Sequence, residues 1–244
     1  MTPIREWHDV GADVFRRDIA PADEPAVLRG VVRSWPAVQR GAQSPEAIAA
    51  YLAGLDNGHP VDAIMTPPAE QGRIFYNARF DGFNFLRNRV PVAKVLEQLS
   101  RYAAFAEPPS VAVQSAPIAD CLPGFAPDNR LALLPDAVAP RIWIGNHIVT
   151  PAHFDESNNI ACVVAGRRRF TLFPPEQIRN LYIGPLDFAP TARRSAWCRW
   201  PIPTSRASRA FARRWRPRDR PSWRRATRST CPRCGGITSS RSAR

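Results

Sequence analysis

Lysine and late histidines are what this chain of 244 residues lacks most visibly. A single lysine, Lys94, stands against 33 arginines, and the four histidines, His8, His59, His147 and His153, leave nothing after position 153. The five cysteines, Cys121, Cys162, Cys198, Cys231 and Cys234, are odd in number and irregularly spaced, so they offer no disulfide framework. No stretch approaches the roughly 20 apolar residues that span a bilayer. The opening residues MTPIREWHDV carry charge and no apolar run of the kind a secretory leader needs. The expectation is a soluble, cytoplasmic protein with no membrane partner, built on one good-sized core with a small appendage.

What the chain does have is charge, unevenly placed. The formal net charge is +13, but Thr191–Arg244 holds sixteen arginines and one acidic residue, Asp219, so the remainder is slightly acidic. That segment contains no Leu, Val, Lys, Glu, Asn, Gln, Tyr, Met or His. It can bury little apolar surface and is expected to be a disordered or irregular tail. The predicted organisation is therefore a domain over residues 1–190 and an Arg-rich tail over 191–244. A genuine tail with this Arg and Trp content would bind nucleic acid. Cys231-Pro232-Arg233-Cys234 is one Cys-X-X-Cys without a second pair, which is weak for zinc.

Along the chain, Pro25–Val32 reads as a short strand, and Ser34–Val38 as a turn onto the next element. Ser44-Pro45-Glu46 is a helix start, with Ser as N-cap and Pro at the first helical position, followed by Ile48, Leu52 and Leu55 on one face. Arg73–Asn77 and Phe83–Leu86 flank the turn-forming pair Asp81-Gly82 and predict a β-hairpin. Val92, Val95, Leu96 and Leu99 have helical spacing. Ser110–Gln114, Arg141–Gly145, Asn159–Val164 and Arg169–Phe173 read as strands, and Pro174–Leu181 as a helical turn. Short strands with frequent turns, preceded by helices, indicate a mainly β barrel or sandwich in the α+β class.

The stretch Thr150-Pro151-Ala152-His153-Phe154-Asp155-Glu156-Ser157-Asn158-Asn159 carries the chemistry. On a strand, His153 and Asp155 would share one face, because side chains alternate with a period of two. Imidazole and carboxylate together make two thirds of the 2-His-1-carboxylate triad that binds Fe(II) with open positions.

The run TPAHFDESNN…GRRRFTLFPPEQIRNLY resembles the cupin-like, Jumonji-C-type Fe(II)/2-oxoglutarate oxygenases, and within them the asparaginyl hydroxylase group around factor inhibiting hypoxia-inducible factor. The specific match runs from Trp143 to Tyr182, and the looser pattern PAVLRGVV…WPAV extends it over most of residues 1–190. The resemblance implies a double-stranded β-helix of the cupin or jelly-roll type, an oxygenase of hydroxylase type, His153 and Asp155 as metal ligands, and Fe(II) and 2-oxoglutarate as cofactor and co-substrate. By motif position Thr150 looks like a co-substrate carboxylate contact and Asn159 like a polar residue of the same pocket. Arg168 stands where the family usually has the Lys that pairs with the far carboxylate; arginine can make that pair bidentately, with a larger head. The resemblance leaves a homodimer open and leaves the substrate unspecified, whether protein side chain or small molecule.

Against the family pattern, the distal His ligand is missing, so the β-helix is expected to lack its last strands and activity to be weak or absent. A one-base shift in reading frame explains this. Reading the codons of Arg224 to Arg241 from their last base permits PGDALYLPALWWHHVES, and those of Pro201 to Pro217 permit DPDFARFPRFREALAA. Both resemble the family's absent C-terminal half, which points to a frameshift near residues 190 to 193. The competing reading is a non-catalytic cupin-type binding module with a genuine basic tail for nucleic acid.

Overall fold

The computed structural model describes residues 4–153, 155 and 157–175, together with the strand backbone of 236–240. It divides into two compact units, one of Val32–Thr150 and one of Met1–Val31 with Pro151–Arg244. Each unit holds one four-stranded sheet.

The unit Val32–Thr150 is built on strands β3 (Val61–Thr66), β4 (Leu86–Val90), β5 (Ser110–Pro117) and β6 (Arg141–Gly145). They run antiparallel in the order β4-β3-β5-β6. Ile64, Ile74, Phe85 and Ala112 form a buried cluster against which Phe83 and Ile148 pack. Helix α2 (Pro36–Gln43) starts where the sequence reads as a turn, with Pro36 at its first position. The cause is remote: the Ala37 N–H, orphaned at a helix start, donates to Oδ1 of the buried Asn129 at 3.0 Å. Helix α3 (Pro45–Leu55) starts as its sequence predicts, with the Ser44 hydroxyl accepting from the Ala47 N–H at 3.1 Å. Helix α4 (Val92–Tyr102) buries Val92, Val95 and Leu96, and its Ala93 N–H is capped by the Asp56 carboxylate at 2.7 Å.

The predicted hairpin is present as a single bridge, Tyr76 to Phe83, closed by the Asn77 N–H donating to the Gly82 carbonyl at 2.9 Å. The ladder goes no further because Asn84 uses its side-chain oxygen to accept from the Phe75 N–H at 2.8 Å, and the chain beyond it turns to pair with β3 instead. Gly72 lies under a neighbouring backbone segment. Its φ is +74°, and a Cβ there would overlap the carbonyl of His147. That close approach permits the bond from the Val149 N–H to the Gly72 carbonyl at 2.8 Å, within a parallel bridge between Arg73 and Val149.

In the other unit, β1 (Arg5–His8), β2 (Ala26–Arg29), β7 (Asn159–Cys162) and β8 (Gly236–Ser240) form the order β1-β2-β8-β7. β1 and β2 are parallel, and the remaining pairs antiparallel. Between them the chain forms a helical stretch from α1 (Ala12–Val14) to Ala22 that buries Phe15 and Ile19. Arg29 holds Glu6 across the β1–β2 pair at 2.9 Å. Its guanidinium hydrogen bond is the main reason the Glu6 carboxyl sits below its ordinary pKa.

Two differences from the sequence reading fall in this unit. Arg169–Phe173 has no regular secondary structure and pairs with no strand among the described residues; Phe170 and Leu172 instead pack against Ile4 and Val27. The tail, expected to be irregular, contributes β8, whose β-branched Ile237 and Thr238 pair with both β2 and β7. The expected boundary near residue 190, the helical turn beyond Pro175 and the rest of the tail lie outside the described residues.

Candidate metal centre

His153 does not lie on a regular strand; it forms one isolated bridge, and β7 begins only at Asn159. Local bonding explains the difference from the expected strand. Two backbone carbonyls that a ladder would use, those of Pro151 and Ser157, face the side chains of His153 and Asn159, and such local bonds compete with strand pairing. Pro151 also removes one ladder donor.

The same bonds set up the chemistry. Nδ1 of His153 lies 2.9 Å from the Pro151 carbonyl oxygen. A carbonyl can only accept, so Nδ1 carries a proton, and in the neutral ring the lone pair then belongs to Nε2. That is the tautomer a metal-ligating imidazole needs, with the second ring nitrogen tied to an outer partner. The ring is exposed. Asp155 is half-buried, and its Oδ2 accepts from Nδ2 of Asn159 at 2.8 Å. The same Asn159 nitrogen reaches the Ser157 carbonyl at 3.3 Å.

Arg168 follows the tight turn at Gly166, whose φ is +73°. Its guanidinium lies over the Phe170 ring, 5.3 Å from the centroid, a cation–π arrangement. Desolvation on its protein side lowers its pKa, although the residue keeps an exposed surface. It remains a cation, because arginine ordinarily titrates so far above neutrality. Arg167 and Arg169 are exposed. Thr150 ends the other unit, half-buried, directly after the bridged Val149.

An imidazole nitrogen and a carboxylate oxygen suit a divalent ion such as Fe(II), but the donor set stops there. The chain has no histidine after His153. Among the described residues no three His, Cys, Asp or Glu side chains come together to hold a metal. Cys162 on β7 is no ready substitute, since burial pushes its thiol up to about 12 and keeps it protonated at neutral pH. The residues present therefore fit two thirds of an iron triad. Sequence reasoning had missed the Pro151 carbonyl, although a carbonyl two residues before a ligating histidine is a signal worth reading.

Residues 12–222 match the family model of the cupin-like domain. The chain belongs to the cupin-like domain family. Among curated relatives it is 27% identical over 172 residues to the human bifunctional peptidase and (3S)-lysyl hydroxylase JMJD7, covering 66% of this chain and 51% of that protein. It is 37% identical over 49 residues to JmjC domain-containing protein F of Dictyostelium discoideum, covering 20% of this chain and 10% of that one. This cupin-like chain thus spans about half the length, or less, of the curated relatives it matches. Among the described residues no helix is long and apolar enough to cross a membrane.

Proposed function

We propose that this chain derives from an Fe(II)- and 2-oxoglutarate-dependent oxygenase of the hydroxylase type, and that as written it is one ligand short. The observation that carries this reading is the bond between His153 Nδ1 and the Pro151 carbonyl, which prepares Nε2 as a donor two residues before a carboxylate. Kinship with a lysyl hydroxylase supports the same chemistry. Bound Fe(II) with 2-oxoglutarate would supply O2 activation for attack on a C–H bond. His153 and Asp155 are the protein donors for the metal. Arg168, braced on Phe170, offers a fixed cation to the far carboxylate of the co-substrate, and Thr150 a hydroxyl, as their motif positions imply. The human relative's lysyl substrate makes a protein side chain the substrate class to assay first.

The missing donor is assigned to a frameshift near residues 190 to 193. The codons of Gly236 to Arg241, which include those of β8, permit the reading His-His-Val-Glu-Ser when shifted by one base. Sequencing the gene across residues 185–200 tests this; absence of an inserted or missing base would reject the frameshift. The activity test is conversion of 2-oxoglutarate to succinate with Fe(II), run on this chain and on a version with the shifted frame restored. Turnover in the restored chain alone, abolished by His153→Ala, is the expected result.

A second reading, a binding module with a genuine basic tail, is favoured by the missing donor and the sixteen tail arginines. It predicts no turnover in either version and a nucleic-acid affinity that falls steeply with salt.

A further inference from the structure

Met65 is half-buried on β3, and apart from Met1 the chain has no other methionine. Its sulfur meets two hydrogen-bond donors from helix α4. The Tyr102 hydroxyl lies 3.6 Å from Sδ, and Nε2 of Gln98 lies 3.9 Å from it. Gln98 Nε2 also donates to the Tyr102 oxygen at 2.9 Å, which leaves the hydroxyl proton to point at the sulfur. A thioether can only accept, and it accepts weakly. Two polar side chains thus converge on an atom that returns little for them, where apolar residues would pack α4 on β3 as well. The side chain is not sealed in. Leu86, its partner across the β3–β4 pair, is 62% exposed, and Phe105, whose ring lies 5.4 Å from that of Tyr102, is 53% exposed.

We propose that Met65 is a reversible oxidation site, converted to its sulfoxide by a hydroperoxide, with Tyr102 and Gln98 as the receivers of the new oxygen. A lone pair on Sδ attacks one peroxide oxygen; the S–O bond forms as the O–O bond breaks, and the departing oxygen takes the proton of the transferred one and leaves as water. Sulfur gives up two electrons and the peroxide takes them. The lone pair that accepts a hydrogen bond is the kind that forms the S–O bond, so donors aimed at the sulfur are aimed where the oxygen arrives. A sulfoxide is polar, and without partners it disrupts the packing around it. Here the oxygen meets an O–H and an N–H already in place, so α4 stays tied to β3. Reductases specific for methionine sulfoxide return the thioether. The site lies wholly within the unit Val32–Thr150 and does not require the oxygenase reading.

The experiment treats the full chain with hydrogen peroxide, reverses cysteine oxidation with dithiothreitol and locates the added oxygen by peptide mass spectrometry. It is run on the wild type, Tyr102→Phe, Gln98→Leu and Met65→Leu, with the thermal midpoint read before and after oxidation. Met65 should gain one oxygen in the folded chain. In the wild type the midpoint should move no further than in Met65→Leu, the control for every other oxidised group. In Tyr102→Phe, which removes one receiving donor, oxidation should lower the midpoint by about 2–4 °C more than in the wild type, the size of one hydrogen bond in a chain of this length. Gln98→Leu should shift in the same direction, and it carries the test if Tyr102→Phe does not fold. Treatment with methionine sulfoxide reductase should restore the starting midpoint. Met65 left unoxidised in the folded chain would overturn the proposal, and so would an oxidation loss of equal size in the wild type and both donor variants.

Discussion

Two asparagines do similar chemistry in this molecule at very different range. Asn129 is buried, with 4% of its surface exposed, and uses all of its side-chain polar atoms: it accepts from the Ala37 N–H and donates to the Tyr51 hydroxyl and the Phe125 carbonyl. Two of those partners lie 92 and 78 residues away. Asn159 is exposed, and its partners lie four and two residues away. The first ties a helix start and a second helix to a loop and so belongs to the fold. The second shapes one short motif and so belongs to the site. Of these two asparagines, the one with long-range bonds secures architecture, and the one with short-range bonds shapes the motif.

The largest expected effect tests that contrast directly. Asn129→Ala strands a buried N–H and a hydroxyl and should cost about 3 kcal/mol in chemical unfolding. Asn159→Ala should cost under about 0.5 kcal/mol, as exposed substitutions usually do. Equal losses would break the distinction. Next in size, Gly72→Ala forces a left-handed φ on a side chain and drives its Cβ into the His147 carbonyl, for an expected loss of about 2 kcal/mol in thermal or urea unfolding. An unchanged midpoint would mean that the segment before Thr150 yields easily.

The smallest effect concerns Glu6 and Arg29. Because Glu6 is more than one-third exposed, solvent screening limits the pair to at most about 0.5 kcal/mol. Its folded pKa is lowered, so the contribution is complete above the unfolded value and fades as pH falls through the folded one. Glu6→Gln should therefore weaken the protein at neutral pH and match wild type in acid. An equal deficit at both would show that packing, not charge, is at work.

The same difference in range explains what could be read from the sequence. Helix α3 was legible because its signals, Ser44 and Pro45, are adjacent, and so were the burial of Val92, Val95 and Leu96 and the pairing segments of β2, β5, β6 and β7. The His153–Asp155 motif was legible for the same reason. Helix α2 was not, because its start is completed by Asn129 from 92 residues away. β3 went unread because its buried positions do not alternate cleanly along the strand. Arg169–Phe173 has strand-like residues, yet its apolar side chains are spent on Ile4 and Val27.

The packing of Phe170 and Leu172 on Ile4 and Val27 also sets an order in time. Strands β1 and β2 are synthesised before β7 and the residues that cover Ile4 and Val27, which follow well over a hundred residues later. At about 5–20 residues per second, synthesis leaves the early pair uncovered for on the order of ten seconds. Val32–Thr150 is one uninterrupted stretch and can assemble during that wait. The stretch up to Val31 is thus made early and covered late.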